Sequence, residues 1–325
     1  MVDKQNFGQF NTVNAVWLKP QVRQFIIDSG FSTAVDPFAG KGDLLKVARE
    51  LGFKTKGYDI DPSLGWKIND SLLNIPKHKD AIIITNPPYL AKVSASRQSK
   101  SNGKYFDLNG YADLYQLAIE KVLNKYTHAV FIIPETFVLS GLFKNYIYSI
   151  TTLEENPFAD TECPVCVVCF KSDTFVNTFD IYKNSSFLFN NVQFDDILNT
   201  YRCQDILNIK FNDGLGNIGL RAIDGVSEGD HIRFCLPGDL GYDISGIKHS
   251  SRSITVMNVC SADNVTIDID ALIKQANNLL EVFRKDTQDM ILAPFKNNNK
   301  LGQRRRRLDF YWARRILNKA YLKLI

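Results

Sequence analysis

The sequence predicts an α/β protein, with a mostly parallel sheet covered by helices on both faces and a smaller mixed α+β domain behind it. Three observations carry that expectation. Short apolar runs alternate with helix-period segments over the first half of the chain. A glycine-bearing loop joins one of those runs to the helix after it. After about Lys171 the texture changes to short β-like runs separated by Gly, Asn and Asp turns. The 325 residues suffice for two domains with hydrophobic cores, and 45% hydrophobic with 23% charged residues is an ordinary globular balance.

In chain order, Val16, Trp17, Val22, Phe25 and Ile26 predict a helix over 14–29 that Gly30 ends. "TAVDPFAGKGDLLKVAREL" reads as strand, loop and helix, "KTKGYDIDP" as the next strand and turn, and "AIIITNPPY" as a further strand with its terminal loop. A polar stretch over 94–102 precedes the helical "YADLYQLAIEKVLNKY" and the buried strand "HAVFIIPETF". A boundary is expected near 172–177, giving domains 1–174 and 175–325. Beyond it come the β-like "NIGLRAI", "HIRFCLP" and "RSITVMNVC" and the amphipathic helix "IDALIKQANNLLEVFRKD".

No apolar run is long enough to cross a membrane, and "MVDKQNFGQF" lacks signal-peptide features, so an intracellular protein is expected. Cys163, Cys166 and Cys169 recur every third residue on a strand-like run, where a period of two sends successive members to opposite faces. No metal is expected. The net charge of +4 is modest, but Arg304, Arg305, Arg306 and Arg307 are consecutive.

Several candidates for chemistry sit at strand ends, where open α/β sheets bind ligands. Gly40 and Gly42 let backbone approach a ligand at a helix N-terminus, although a plain tight turn would use them too. Neither a P-loop nor the full dinucleotide fingerprint is present. Asp59, about 20 residues on, can accept both hydroxyls of a ribose, as could Asp61. Ile60 offers an apolar wall to a purine, and Asp70 an acceptor for its amino group, although Asp70 could equally cap a helix or turn. Pro87 and Pro88 end a strand because they lack N–H groups, and they bias Asn86 and Pro87 toward extended geometry. That fixes the Asn86 amide and the Pro87 carbonyl beside the ring of Tyr89.

Taken together, "DPFAGKGDLL", "GYDIDP" and Asn86-Pro87-Pro88-Tyr89 resemble the amino-group DNA methyltransferases that act on N6 of adenine, over roughly the first 170 residues. The resemblance implies a Rossmann-like class I methyltransferase domain that binds S-adenosylmethionine. It places Asp36, Phe38, Ala39 and Gly40 near the methionine portion of that cofactor. "GQFNT" is similar to the N-terminal cofactor motif and would add Phe10 and Thr12, with Val13 standing where the family has proline. "ENPFADTECPVCVVCF" resembles the region supplying a second aromatic platform, for which Phe158 is the candidate.

Because the cofactor loop precedes the catalytic motif, target recognition is expected in the C-terminal half, as in the gamma arrangement. Catalysis is then assigned to Asn86, Pro87, Pro88 and Tyr89, and substrate binding to Tyr89, Phe158 and Arg304 to Arg307. Lys92, Arg97, Lys100 and Lys104 are expected to help close over the base. Double-stranded DNA is the implied partner, within a restriction-modification or related system; whether a restriction endonuclease accompanies the chain is left open. The same four-residue motif also occurs in methyltransferases of RNA bases and of protein glutamine. A non-catalytic nucleic-acid-binding subunit of the same fold is the alternative from a different class.

Overall fold

A computed structural model describes residues 12–13, 15–92, 103–106, 110–175, 177–227, 230–243, 246–248, 250–263 and 265–325. The chain forms two compact units, Met1–Asn191 and Val192–Ile325. Among the described residues, no helix is long and apolar enough to cross a membrane.

The first unit is built on a nine-stranded sheet. Its strands are β1 (Thr33–Asp36), β2 (Lys54–Asp59), β3 (Lys67–Ile68), β4 (Ala81–Thr85), β5 (His128–Pro134), β6 (Ile147–Thr152), β7 (Val165–Lys171), β8 (Asp180–Lys183) and β9 (Ser186–Asn190), in spatial order β3-β2-β1-β4-β5-β7-β6-β8-β9. The first five in that order are parallel, and β7 runs antiparallel between β5 and β6. Helices α1 (Pro20–Asp28), α2 (Asp43–Glu50), α3 (Gly103–Phe106) and α4 (Leu114–Leu123) belong to this unit.

Strand periodicity explains the core. Ala34, Ile82, Ile84, Val130, Ile132 and Val167 lie at alternate positions and pack in one cluster with Val22, Phe25 and Ile26 of α1 and Leu44 and Ala48 of α2. The residues between them are buried as well, so β4 is buried along its whole length, as a strand covered on both faces must be. Burial of each isoleucine of β4 contributes about 1.5–3 kcal/mol. Cys169 joins that cluster, while Cys166, three residues away, is buried outside it.

The chain reverses its direction of travel across the sheet between β1 and β4, which pair from Thr33 with Ala81 to Val35 with Ile83. Their carboxyl ends, Asp36 and Thr85, therefore flank the crevice where such sheets bind ligands.

Two expectations about element limits are corrected. The first helix begins at Pro20 rather than near residue 14, because proline is suited to the first turn of a helix and not to its interior. The first unit also extends past the expected boundary at residue 174. There β8 pairs in parallel with β6, from Ser149 with Asp180 to Thr152 with Lys183, and β9 pairs with β8.

The second unit contains α5 (Asn191–Tyr201), which starts at the boundary, α6 (Ile269–Asp286) and α7 (Phe310–Leu322). Its antiparallel sheet has the order β10-β13-β11-β12, with β10 (Leu207–Phe211), β11 (Ile218–Arg221), β12 (Arg233–Cys235) and β13 (Ile254–Ser261). A separate hairpin pairs β14 (Ala293–Asn298) with β15 (Arg304–Arg307).

Candidate active site

A narrow cleft opens at the carboxyl ends of β1 and β4. It brings together Thr12, Asp36, Phe38, Ala39, Gly40 and Asn86, all singled out from the sequence, with Lys41, Asp43 and Leu44, which were not. Gly40 has φ +51°, and a Cβ added there would meet nothing within 4 Å, so the loop leaves space for a ligand beside its backbone. The cavity volume is about 30 Å³, against the roughly 10–15 Å³ of such space that a single water needs.

Asp36 ends β1 and is 1% exposed. Its Oδ1 accepts from Thr85 Oγ1 at 2.6 Å and from the Phe38 N–H at 3.0 Å. The first bond ties the loop-bearing strand to the residue before Asn86. Burial pushes the Asp36 carboxyl up to about 7 against the pull of these hydrogen bonds, and the charge of Asp59 adds to the rise. No cationic side chain forms an ion pair with it among the described residues.

Asp59, at the end of β2, is also buried, and both its oxygens accept from backbone. Oδ2 takes the Gly40 N–H and Oδ1 the Asp61 N–H, each at 2.9 Å. An ionised carboxylate offers about four acceptor sites, so capacity for hydroxyl groups remains. Asp61 instead accepts from the Ser63 N–H as the cap of a short turn. Ile60 is 41% exposed, a surface available to an apolar ligand face. Asp70 accepts from the Tyr105 hydroxyl at 2.8 Å, and that hydroxyl is held protonated by burial and by Asp70.

One residue of this site was not anticipated. Trp66 Nε1–H donates to the Gly40 carbonyl at 2.7 Å. Its ring fills the space that side chains at Gly42 and Gly57 would need: an added Cβ would lie 2.7 Å from the indole at Gly42 and 2.5 Å at Gly57. The φ of +85° at Gly42 independently requires glycine. A tryptophan directly after the Gly65 turn is the available signal.

Asn86 follows β4 directly, and Pro87 and Pro88 are buried behind it. The Tyr89 hydroxyl lies within reach of Asn86 Oδ1 and of the Ile132 carbonyl, the latter at 2.7 Å. It has one proton, so it donates to one of them at a time. Burial raises the Tyr89 hydroxyl well above its ordinary range, which keeps it a donor.

The ring of Tyr89 meets Phe158 edge-on at 6.3 Å between centroids and Tyr115 at 6.4 Å. In this conformation Tyr89 is part-buried rather than a presented platform. Phe158 departs from its expected role: it is 5% exposed in the sheet core, where its backbone bridges to Thr12. Apolar burial outcompetes presentation of its ring.

The arginine run forms β15, which Leu308 and Asp309 join to α7, and strand alternation divides it. Arg306 is 4% exposed, which corrects its assignment as a substrate contact. Arg305 donates to the Asp224 carbonyl at 2.8 Å and stacks on Phe295, while Arg304 and Arg307 are half-buried. Phe10, Arg97 and Lys100 lie outside the described residues, as does the side chain of Lys104.

Residues 64–156 match the model of the Eco57I restriction-modification methylase family. The matched segment contains Asn86 to Tyr89 and does not include the Gly40 loop, Phe158 or the second unit. Among solved structures, a type I restriction-modification methyltransferase subunit from Streptococcus thermophilus is similar at 17% identity, covering 61% of this chain and 55% of that one, with a TM-score of 0.40. A protein described as a modification subunit of a type I restriction enzyme from Vibrio vulnificus YJ016 is similar at 17% identity, covering 54% of this chain and 47% of that one, with a TM-score of 0.38. The chain thus spans about half the length of these two structures. No curated protein matches the sequence. The first unit has an α/β fold with a mostly parallel central sheet.

Proposed function

We propose that this chain transfers a methyl group from S-adenosylmethionine to N6 of an adenine flipped out of duplex DNA, as part of a restriction-modification system. The observation that carries the reading is the shared cleft: Asn86, the first residue of Asn-Pro-Pro-Tyr, lines the same crevice as the Gly40 loop at the reversal point of the sheet. The family match over 64–156 supports the restriction-modification context.

S-adenosylmethionine, when bound, supplies a methyl group made electrophilic by its sulfonium. The chain's own groups fit its ends. The buried carboxyl of Asp36 favours a cationic partner, and the narrow cleft takes the reactive end once it widens. The nucleoside lies outside it, toward Asp59 and the exposed side chain of Ile60. Trp66 is a positioning residue that holds the Gly40 carbonyl.

For the acceptor, Asn86 Oδ1 and the Pro87 carbonyl accept the two amino hydrogens of adenine. Fixed acceptors draw the nitrogen toward tetrahedral geometry and stabilise the positive charge that develops on it. No strong base is needed before attack, because the proton leaves after transfer. Flipping costs a few kcal/mol, which stacking on an aromatic ring offsets by about 1–3 kcal/mol. Tyr89 serves this purpose by turning outward, which also releases Asn86 Oδ1. The Val192–Ile325 unit carries target recognition.

Titration calorimetry with S-adenosylmethionine, followed by a labelled-methyl assay on duplex DNA, RNA and protein acceptors, tests the reading. Cofactor binding with methyl transfer to duplex adenine is expected. Transfer to RNA or protein alone, or no cofactor binding, would overturn it.

A further inference from the structure

The second unit contains a cavity of about 290 Å³ lined by Arg252, Arg307, Leu308, Asp309 and Phe310. Its walls come from sequence-distant segments held by one buried residue. The Ala222 N–H donates to the Ser253 carbonyl at 2.8 Å, and the Ala222 carbonyl accepts from the Leu308 N–H at 2.8 Å. Ile223 also bridges to Arg307. Arg252 and Arg307 therefore each sit one residue from a backbone group bonded to Ala222, which is itself fully buried.

Neither arginine has a carboxylate partner among the described residues. Asp309 lines the same cavity, but its Oδ1 accepts from the Trp312 N–H at 2.9 Å as the N-cap of α7. With two guanidinium groups and one carboxylate, the cavity keeps a positive excess. It also opens at the N-terminus of a 13-residue helix, whose first N–H groups and dipole favour an anion.

We infer that Arg252 and Arg307 form a clamp for one backbone phosphate of the nucleic acid, an inference that rests on the proposed action on DNA. Guanidinium forks suit phosphate oxygens, and a pair brought together from segments widely separated in sequence positions a duplex without reading its bases. Within the basic run the clamp selects Arg307 and excludes buried Arg306. It adds Arg252, which no charge run would single out.

The test is anisotropy of a labelled duplex between 50 and 200 mM salt, on the full chain. The probes are a methylatable duplex and a scrambled one, both within the range where phosphate contacts dominate salt dependence. For the Arg252→Ala/Arg307→Ala double variant, affinity should fall about tenfold for both duplexes alike. The slope of log K against log salt should become shallower by about 0.9, the loss of one phosphate. Arg202→Ala, at an exposed arginine of the same unit, controls for net charge. Arg252→Ala alone changes an exposed residue, so it keeps the test open if the double variant does not fold. Wild-type binding with an unchanged slope in the variants, or a change no larger than that of Arg202→Ala, would overturn the clamp and leave the DNA reading standing. No salt-dependent duplex binding by the wild type would overturn both.

Discussion

Asp36 and Asp224 are both buried, 1% and 6% exposed, yet their surroundings are opposite. Asp224, in the second unit, takes a two-point contact from Arg284 at 2.8 and 3.0 Å and also accepts from the Ile232 and Arg306 N–H groups. Asp36, in the first, has hydrogen bonds only at Oδ1 among the described residues, and the charge nearest to it in effect is that of another aspartate. Burial without a counter-charge is costly, and a protein keeps it where a ligand is to complete the site. A fully paired buried carboxylate instead belongs to the scaffold, joining α6, the Ile232 segment and β15.

That contrast can be broken most severely at Arg284. Arg284→Ala leaves Asp224 buried without its guanidinium partner and should cost about 3–5 kcal/mol, read as a lowered denaturation midpoint. Replacing Asp36 by Asn should do the reverse to the fold. A carboxyl raised from 3.8 to about 7 contributes stability that is present below 3.8 and lost as pH rises through 7. The variant should therefore melt at or above the wild-type temperature at pH 8 while its affinity for S-adenosylmethionine falls at least tenfold; unchanged affinity would remove Asp36 from the site.

The same carboxyl sets a pH profile. A cationic ligand favours ionised Asp36, so binding releases a proton, and wild-type affinity should fall by up to tenfold per unit as pH drops below about 7. Calorimetry in buffers of differing ionisation heat reads that proton, and the Asn variant should lack it. The smallest effect is expected at Trp66→Phe. The ring still fills the slot beside Gly42 and Gly57, but the bond to the Gly40 carbonyl is lost, which is worth about 1 kcal/mol or fivefold in cofactor affinity. A lowered melting temperature with unchanged affinity would make Trp66 merely structural.

What could be read from the sequence was what local chemistry determines. Consecutive prolines end β4 at Asn86 whatever surrounds them, and strand, glycine loop and helix follow one another too closely to arrange themselves differently. These features mark Gly40 and Asn86 as strand-end positions, while the family resemblance is what grouped them with Asp36, and all three line one cleft. Longer-range choices were not legible. Parallel pairing of β8 with β6 moved the boundary past residue 174, and it depends on strand partners some 30 residues apart. Whether an aromatic ring is presented or buried depends on competing core contacts, which took Phe158 inward and turned Tyr89 toward Asn86. Four arginines in a row look equivalent until strand alternation buries Arg306 and leaves Arg307 lining a cavity. Trp66 is not legible in the sequence because its partners, Gly40, Gly42 and Gly57, carry no side chains and meet it only in the fold.

The central claim is that Asn86 holds the amino group that accepts the methyl. Nucleoside analysis of genomic DNA from a host lacking its own adenine methylation, expressing either the wild type or Asn86→Ala, tests it most directly. The account predicts N6-methyladenine with the wild type and at least a hundredfold less with the variant, while the purified variant still binds S-adenosylmethionine. Equal methylation by the two proteins, or a different methylated base, would contradict it.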